Sequence, residues 1–149
     1  MSEKLFPSAQ EAENAFYEAL ERGDLEAMMA VWAADEEIVC VHPAGPRLTG
    51  PAQIRESWAA IFAGEARARL HLTQQVALSG VMFAVHSVQE NFILEGPRQA
   101  DLRPAPIVAT NVYLRTAAGW RMILHHASPA PGAAAEAPPP REASRRFLH

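Results

Sequence analysis

The chain has 149 residues, 49% of them hydrophobic, which suits one domain with a sizeable core. A formal charge of −4 with scattered basic residues argues against a nucleic-acid surface, which needs a concentrated basic face. Cys40 is the only cysteine, so no intrachain disulfide can form and a reducing compartment is expected. No apolar run reaches the length of a membrane span and no signal-peptide pattern opens the chain, so the expected location is cytoplasmic, with no membrane partner.

The first half reads as helices around one strand. Ser8-Ala-Gln-Glu11 is a capping box after Phe6 and Pro7, and Ala12, Ala15, Phe16, Ala19 and Leu20 then recur at helical spacing. That phase puts Glu13, Glu18, Glu21 and Arg22 outside and turns Tyr17 away from the interior. Gly23 ends the helix, and Asp24 caps a second one whose inner stripe is Leu25, Met28, Met29 and Trp32. Ile38 to His42 is a strand stopped by Pro43, and Pro43 to Gly50 reads as a loop. Pro51 starts a third helix with the stripe Ile54, Trp58, Ile61 and Phe62, ended by Gly64.

The second half alternates with period two. Arg67 to Ser79 and Val81 to Leu94 are two long strands about the Ser79-Gly80 turn. On the second, Met82, Ala84, His86, Val88, Glu90, Phe92 and Leu94 share a face, and the pair His86 and Glu90 is expected near a dimer surface. Gly96 to Pro106 carries three prolines and reads as an irregular connection. Ile107 to Arg115 and Gly119 to Pro129 form a hairpin, and pairing Arg115 with Trp120 sets Asn111 opposite Leu124 and Ala109 opposite His126. On that register Trp120, Met122, Leu124 and His126 share the face of Asn111. Residues 1–130 form the expected domain, and 131–149 an Ala/Pro-rich disordered tail too polar to offset the entropy of ordering it.

Helices, a strand, a helix and four strands in succession give an α+β class: a curved antiparallel or mixed sheet with three N-terminal helices on its concave face. Such a sheet leaves a cone between the layers, suited to a small apolar ligand. Its other face is too apolar to stay wet, so a homodimer through the sheet is expected.

Glu18-Ala-Leu-Glu-Arg-Gly-Asp24, Trp32-Ala-Ala-Asp35, His42-Pro43, Thr49-Gly50 and Gly119-Trp120 through His126-Ala-Ser128 together resemble the nuclear transport factor 2-like superfamily, and within it SnoaL-like proteins. The ending is also similar to that of the association domain of calcium/calmodulin-dependent kinase II. The resemblance spans Ser8 to Pro129 and implies a cone-shaped, usually dimeric α+β domain. Ketosteroid isomerase shares that fold and needs a Tyr, a carboxylate base and a protonated Asp where this chain matches Phe16, His42 and Asn111, so steroid isomerisation is not expected.

His42, Asn111 and His126 are the candidate catalytic residues: either imidazole as the base and the amide as polariser of a carbonyl. Structural roles stand beside this, His42 as a strand cap and His126 as a strand-end group. Phe16, Trp32, Trp58, Phe62, Trp120, Met122 and Leu124 are the candidate pocket lining. His125 and His126 point to opposite faces of a strand, and no metal or cofactor is called for. The expected function is small-molecule binding with a proton-transfer lyase or isomerase step on an apolar carbonyl compound, the alternatives being a non-catalytic homo-oligomerisation module or a ligand sensor.

Overall fold

The computed structural model describes residues 5–64, 68–94 and 104–130. The expected disordered tail at 131–149 and most of the irregular connection after Leu94 lie outside the described residues. The elements are α1 (Ala9–Arg22), α2 (Leu25–Val31), β1 (Val39–Val41), β2 (Arg47–Thr49), α3 (Pro51–Ala63), β3 (Ala68–Ser79), β4 (Phe83–Leu94), β5 (Ile107–Thr116) and β6 (Gly119–Pro129). No helix among the described residues is long and apolar enough to cross a membrane.

The helix ends follow the capping chemistry. Ser8 Oγ accepts from the Glu11 N–H at 3.1 Å, Gly23 closes α1 in the left-handed region at φ 68°, and Asp24 accepts from the Ala27 N–H at 3.1 Å to start α2. Pro51 occupies the first turn of α3. Six strands form one mixed sheet in the order β2-β1-β6-β5-β4-β3, antiparallel throughout except for β1 beside β6. Strand β2 lies inside the segment expected to be loop. Arg-Leu-Thr is too short to show a period of two, and its strand character comes from pairing with β1.

Under α1 the sheet presents Cys40 from β1, Ala84, His86, Val88 and Glu90 from β4, Ala109, Asn111 and Tyr113 from β5, and Met122, His125 and Ala127 from β6, all buried. Three expectations about this face need correction. Arg115 does oppose Trp120, but a bulge lets Tyr113 face Met122 while Val112 faces Leu124, so Ile123 is an extra residue. Beyond it every pairing shifts by one: Asn111 faces His125 and Ala109 faces Ala127. Leu124 and His126 therefore belong to the outer face, where His126 is exposed. Glu13 and Tyr17, expected outside, are buried, and so are His86 and Glu90, expected at a dimer surface. The buried stripe of α1 is Ala9, Ala12, Glu13, Phe16, Tyr17 and Ala19, one position round the helix from the purely apolar choice.

The β5–β6 turn is pinned from below by the N-terminal segment. Trp120 N–H donates to Phe6 C=O at 2.9 Å, and Gly119 sits at φ 94°. A Cβ at that position would lie 2.9 Å from both the nitrogen and the oxygen of Phe6. Gly119→Ala therefore meets both a backbone conformation that L residues avoid and a backbone clash, and should lower unfolding stability by about 1–3 kcal/mol. A urea midpoint equal to that of the parent chain would contradict this.

Candidate functional site

The cone is organised around a buried carboxyl group. Glu13 is fully buried on α1. Its Oε1 accepts from His86 Nδ1 at 3.0 Å and from Gln75, and its Oε2 accepts from Asn111 Nδ2 at 3.0 Å and Tyr113 OH at 2.9 Å. Gln75 is delivered by a bulge in β3, where Gln74 takes φ 56° and the register with β4 shifts between Thr73 and Val76. Four donors on two oxygens satisfy the group and leave little acceptor capacity for a ligand. Burial and the nearby Glu13 hold the Tyr113 phenol well above its ordinary range, so it stays a donor.

A line of hydrogen bonds crosses the cone from this hub. Asn111 Nδ2 also donates to Tyr17 O at 3.0 Å, and Tyr17 OH donates to Glu90 Oε2 at 2.6 Å. The Glu13 carboxylate can only accept, so the Asn111 amide must turn its NH₂ that way and its carbonyl the other. That carbonyl is 2.6 Å from His125 Nδ1. An amide oxygen needs a donor, so the His125 proton is on Nδ1 and the lone pair on Nε2. Burial first, and the neighbouring His42 and His126 next, push the His125 imidazole down to about 3, so it is neutral. At the other end, burial and then the charge of Glu13 lift the Glu90 carboxyl to about 7 against the lowering effect of the Tyr17 hydrogen bond. Burial, with Glu90 beside it, raises the Tyr17 phenol and keeps it protonated.

Of the three candidates from sequence, two lie under the helices and one does not. Asn111 is central but saturated, both amide hydrogens and the carbonyl being engaged, so it orients neighbours. His42 is half-buried at the end of β1, with Nε2 2.9 Å from Ser57 Oγ and 3.7 Å from Cys40 Sγ. Ser57 spends its hydrogen on the Ile54 C=O at 2.8 Å, so His42 Nε2–H completes the contact and Nδ1 keeps the lone pair. Burial lowers the His42 pKa, and burial raises the Cys40 thiol to about 12, which makes it inert. His126 is carried to the outer face by the β6 bulge, Ala127 holds its expected place opposite Ala109, and His125 holds the place opposite Asn111 expected of Leu124.

The pocket candidates divide similarly. Phe16, Trp58 and Phe62 form a contiguous aromatic wall, with ring centroids 5.8 Å apart for Phe16–Trp58 and 5.5 Å for Trp58–Phe62. Both imidazoles join it: Phe16–His125 at 4.9 Å and His42 edge-on to Trp58 at 4.6 Å. Met122 is buried on the same face, opposite Tyr113. Among the described residues Trp58 Nε1–H is buried with no protein hydrogen-bond partner, as is Trp32 Nε1–H on the α2 side, and the Trp58 donor lies in that wall. Trp32 instead lines a cavity of about 670 Å³ between α2 and the β5–β6 turn, Trp120 one of about 340 Å³ beside His86 at the start of α1, and Leu124 a groove of about 320 Å³ on the outer face. Among the described residues no three His, Cys, Asp or Glu side chains are arranged to hold a metal ion.

Glu13, Tyr17, His86, Glu90, Tyr113 and His125 are the site residues that sequence reasoning missed. The available signal was His86 and Glu90 in a strand face with Ala84 and Val88, and Glu13 and Tyr17 four apart on the helix that must cover it.

Residues 10–132 match the family model of the SnoaL-like domain. A crystal structure of a proposed calcium/calmodulin-dependent protein kinase type II association domain from Thiobacillus denitrificans is 40% identical, covers 86% of this chain and 99% of its own, and superposes with a TM-score of 0.78. A proposed dehydratase of the nuclear transport factor 2-like family from Streptomyces avermitilis is 35% identical over 80% of this chain and 91% of its own, with a TM-score of 0.70. A ketosteroid isomerase-like protein from Erwinia carotovora atroseptica, at 16% identity over 80% of this chain and 92% of its own, shares the fold with a TM-score of 0.67. No curated protein matches the chain.

His125 and Glu90 make opposite pH predictions. His125 goes from 6.5 unfolded to about 3 folded, so its contribution to stability is complete above 6.5 and is lost as pH falls through that window. Glu90 goes from 4.5 to about 7, so its contribution is complete below 4.5 and is lost as pH rises through 7. In urea unfolding between pH 6.5 and 4, His125→Gln should lose stability less steeply than the parent chain, and Glu90→Gln more steeply. Equal slopes in all three would contradict the assignment.

Proposed function

Because the chain belongs to the SnoaL-like domain family, we propose that its cone binds a small, largely apolar compound bearing a carbonyl and moves a proton on it. The observation that carries this reading is the buried Trp58 Nε1–H, without a protein partner among the described residues, in the aromatic wall beside His42 and His125. A buried donor without a partner costs roughly 1–3 kcal/mol, and a carbonyl oxygen would recover it. Phe16, Trp58, Phe62 and Met122 supply apolar surface, His42 and His125 supply neutral imidazoles with fixed lone pairs, and Asn111 holds the His125 proton in place. The 35% identity to a proposed dehydratase supports proton-transfer chemistry as the class of reaction.

A second reading rests on the opposite face. Phe83, Val85 and Val108 are exposed on the outer side of β4 and β5, next to the groove lined by Val112, Ile123 and Leu124. Exposed apolar surface of this kind favours pairing with a second copy through the sheet. The 40% identity to a proposed association domain supports assembly as a role, alone or alongside ligand binding.

Acetophenone is a suitable neutral probe for the first reading. Trp58→Phe keeps the ring surface and removes the donor, so acetophenone affinity measured by NMR titration should fall about tenfold. Unchanged affinity would remove the carbonyl reading. For the second, light scattering should find a dimer that Val85→Glu dissociates into folded monomers, and a monomeric parent chain would exclude it.

A further inference from the structure

The two carboxylates of the cone are held very differently. Glu13 accepts four hydrogen bonds. Glu90, equally buried, has Tyr17 OH at 2.6 Å on Oε2 and no other hydrogen-bond partner among the described residues. Two acids in one site whose surroundings set them apart in this way divide the acid–base roles between them, the poorly held one being the one that exchanges a proton.

We propose that Glu90 is the exchangeable acid of the cone, a carboxyl oriented by Tyr17 that gives its proton to the carbonyl oxygen of a neutral ligand and takes it back. This deepens the carbonyl reading and rests on it. The chemistry at the histidines supports the choice of Glu90. An effective general acid or base titrates near the working pH, whereas His125 titrates at about 3 and Glu90 at about 7. The titratable groups that act on Glu90 are Glu13 and Tyr17 from α1 and Tyr113 from β5, with His86 four residues back on the same face of β4, and its strand partners are Leu72 on β3 and Ile107 on β5. Glu21, one turn beyond Tyr17, is engaged by the Leu70 N–H on β3. None of these is Lys or Arg. Among the described residues a ligand carboxylate would meet Glu13 and an ionised Glu90 with no facing Lys or Arg, which favours a neutral carbonyl over an acid.

In the step itself the Glu90 O–H bond breaks as the new bond to the ligand oxygen forms. The proton on the ligand carbon passes to the neutral imidazole of His42 at Nδ1, and an enol leaves or is reprotonated. No oxidant or second substrate enters the balance. Tyr17 is a positioning residue: its hydrogen bond fixes Oε2 and favours the ionised carboxylate.

Infrared difference spectra of the full chain and of Glu90→Gln, recorded from pH 5 to 9, test the assignment without any ligand. The parent chain should show a protonated-carboxyl band that disappears with a midpoint near pH 7, is missing in Glu90→Gln, and in Tyr17→Phe disappears at higher pH. If Glu90→Gln does not fold, the shift in Tyr17→Phe decides the same point. Acetophenone should bind the parent chain about tenfold more tightly at pH 6 than at pH 8, equally at both pH values in Glu90→Gln, and more tightly than benzoate throughout. A band absent at pH 6, a band unmoved in both variants, or tighter benzoate binding overturns the proposal. A correct titration with no acetophenone binding at either pH supports the exchangeable proton on Glu90 and counts against the carbonyl ligand.

Discussion

The arrangement of the cone follows from burying one carboxylate. Removing Glu13 from water costs several kcal/mol unless its lone pairs are filled, and no Lys or Arg side chain is among its partners. Donors therefore arrive from three separate strands: Gln75 of β3, His86 of β4, and Asn111 and Tyr113 of β5. Each has to be placed to within a few tenths of an ångström, which explains features that otherwise look like irregularities. The β3 bulge turns Gln75 toward α1. The β6 bulge brings His125 rather than Leu124 against Asn111.

Direction then passes outward from the hub. Glu13 sets the amide of Asn111, the amide sets the proton of His125, and the same amide hands its second hydrogen to Tyr17, which holds Glu90. A network with every hydrogen assigned is stiff, and that stiffness holds the His125 lone pair beside the aromatic wall and the Glu90 carboxyl on Tyr17. The outer face of the sheet shares no residue with this chain of contacts, so the two proposed roles do not exclude one another.

Much of the fold was legible because capping residues and periodicities are local. Ser8, Gly23, Asp24 and Pro51 mark helix ends wherever they occur, and the alternation from Val81 to Leu94 gave both faces of β4 correctly. What stayed hidden depends on partners far away in sequence. Apolar phasing excludes Glu13 from the core, since a helix alone gives no sign that His86, Asn111 and Tyr113 will meet it more than seventy residues later. The face of His126 was lost to a single inserted residue, because strand periodicity carries no mark of a bulge and one extra residue reverses every side chain beyond it. Asn111 was found by its oddity on an apolar face, yet its role as an orienting group depended on both of its neighbours.

The claim beneath the rest is that Glu13 fixes the Asn111 amide and, through it, the proton of His125. Nitrogen-15 NMR of the imidazole rings reads that proton directly. The account predicts a neutral His125 protonated on Nδ1 at pH 7, with this tautomer abolished in Asn111→Leu. A His125 protonated on Nε2, or carrying both protons at pH 7, would contradict it.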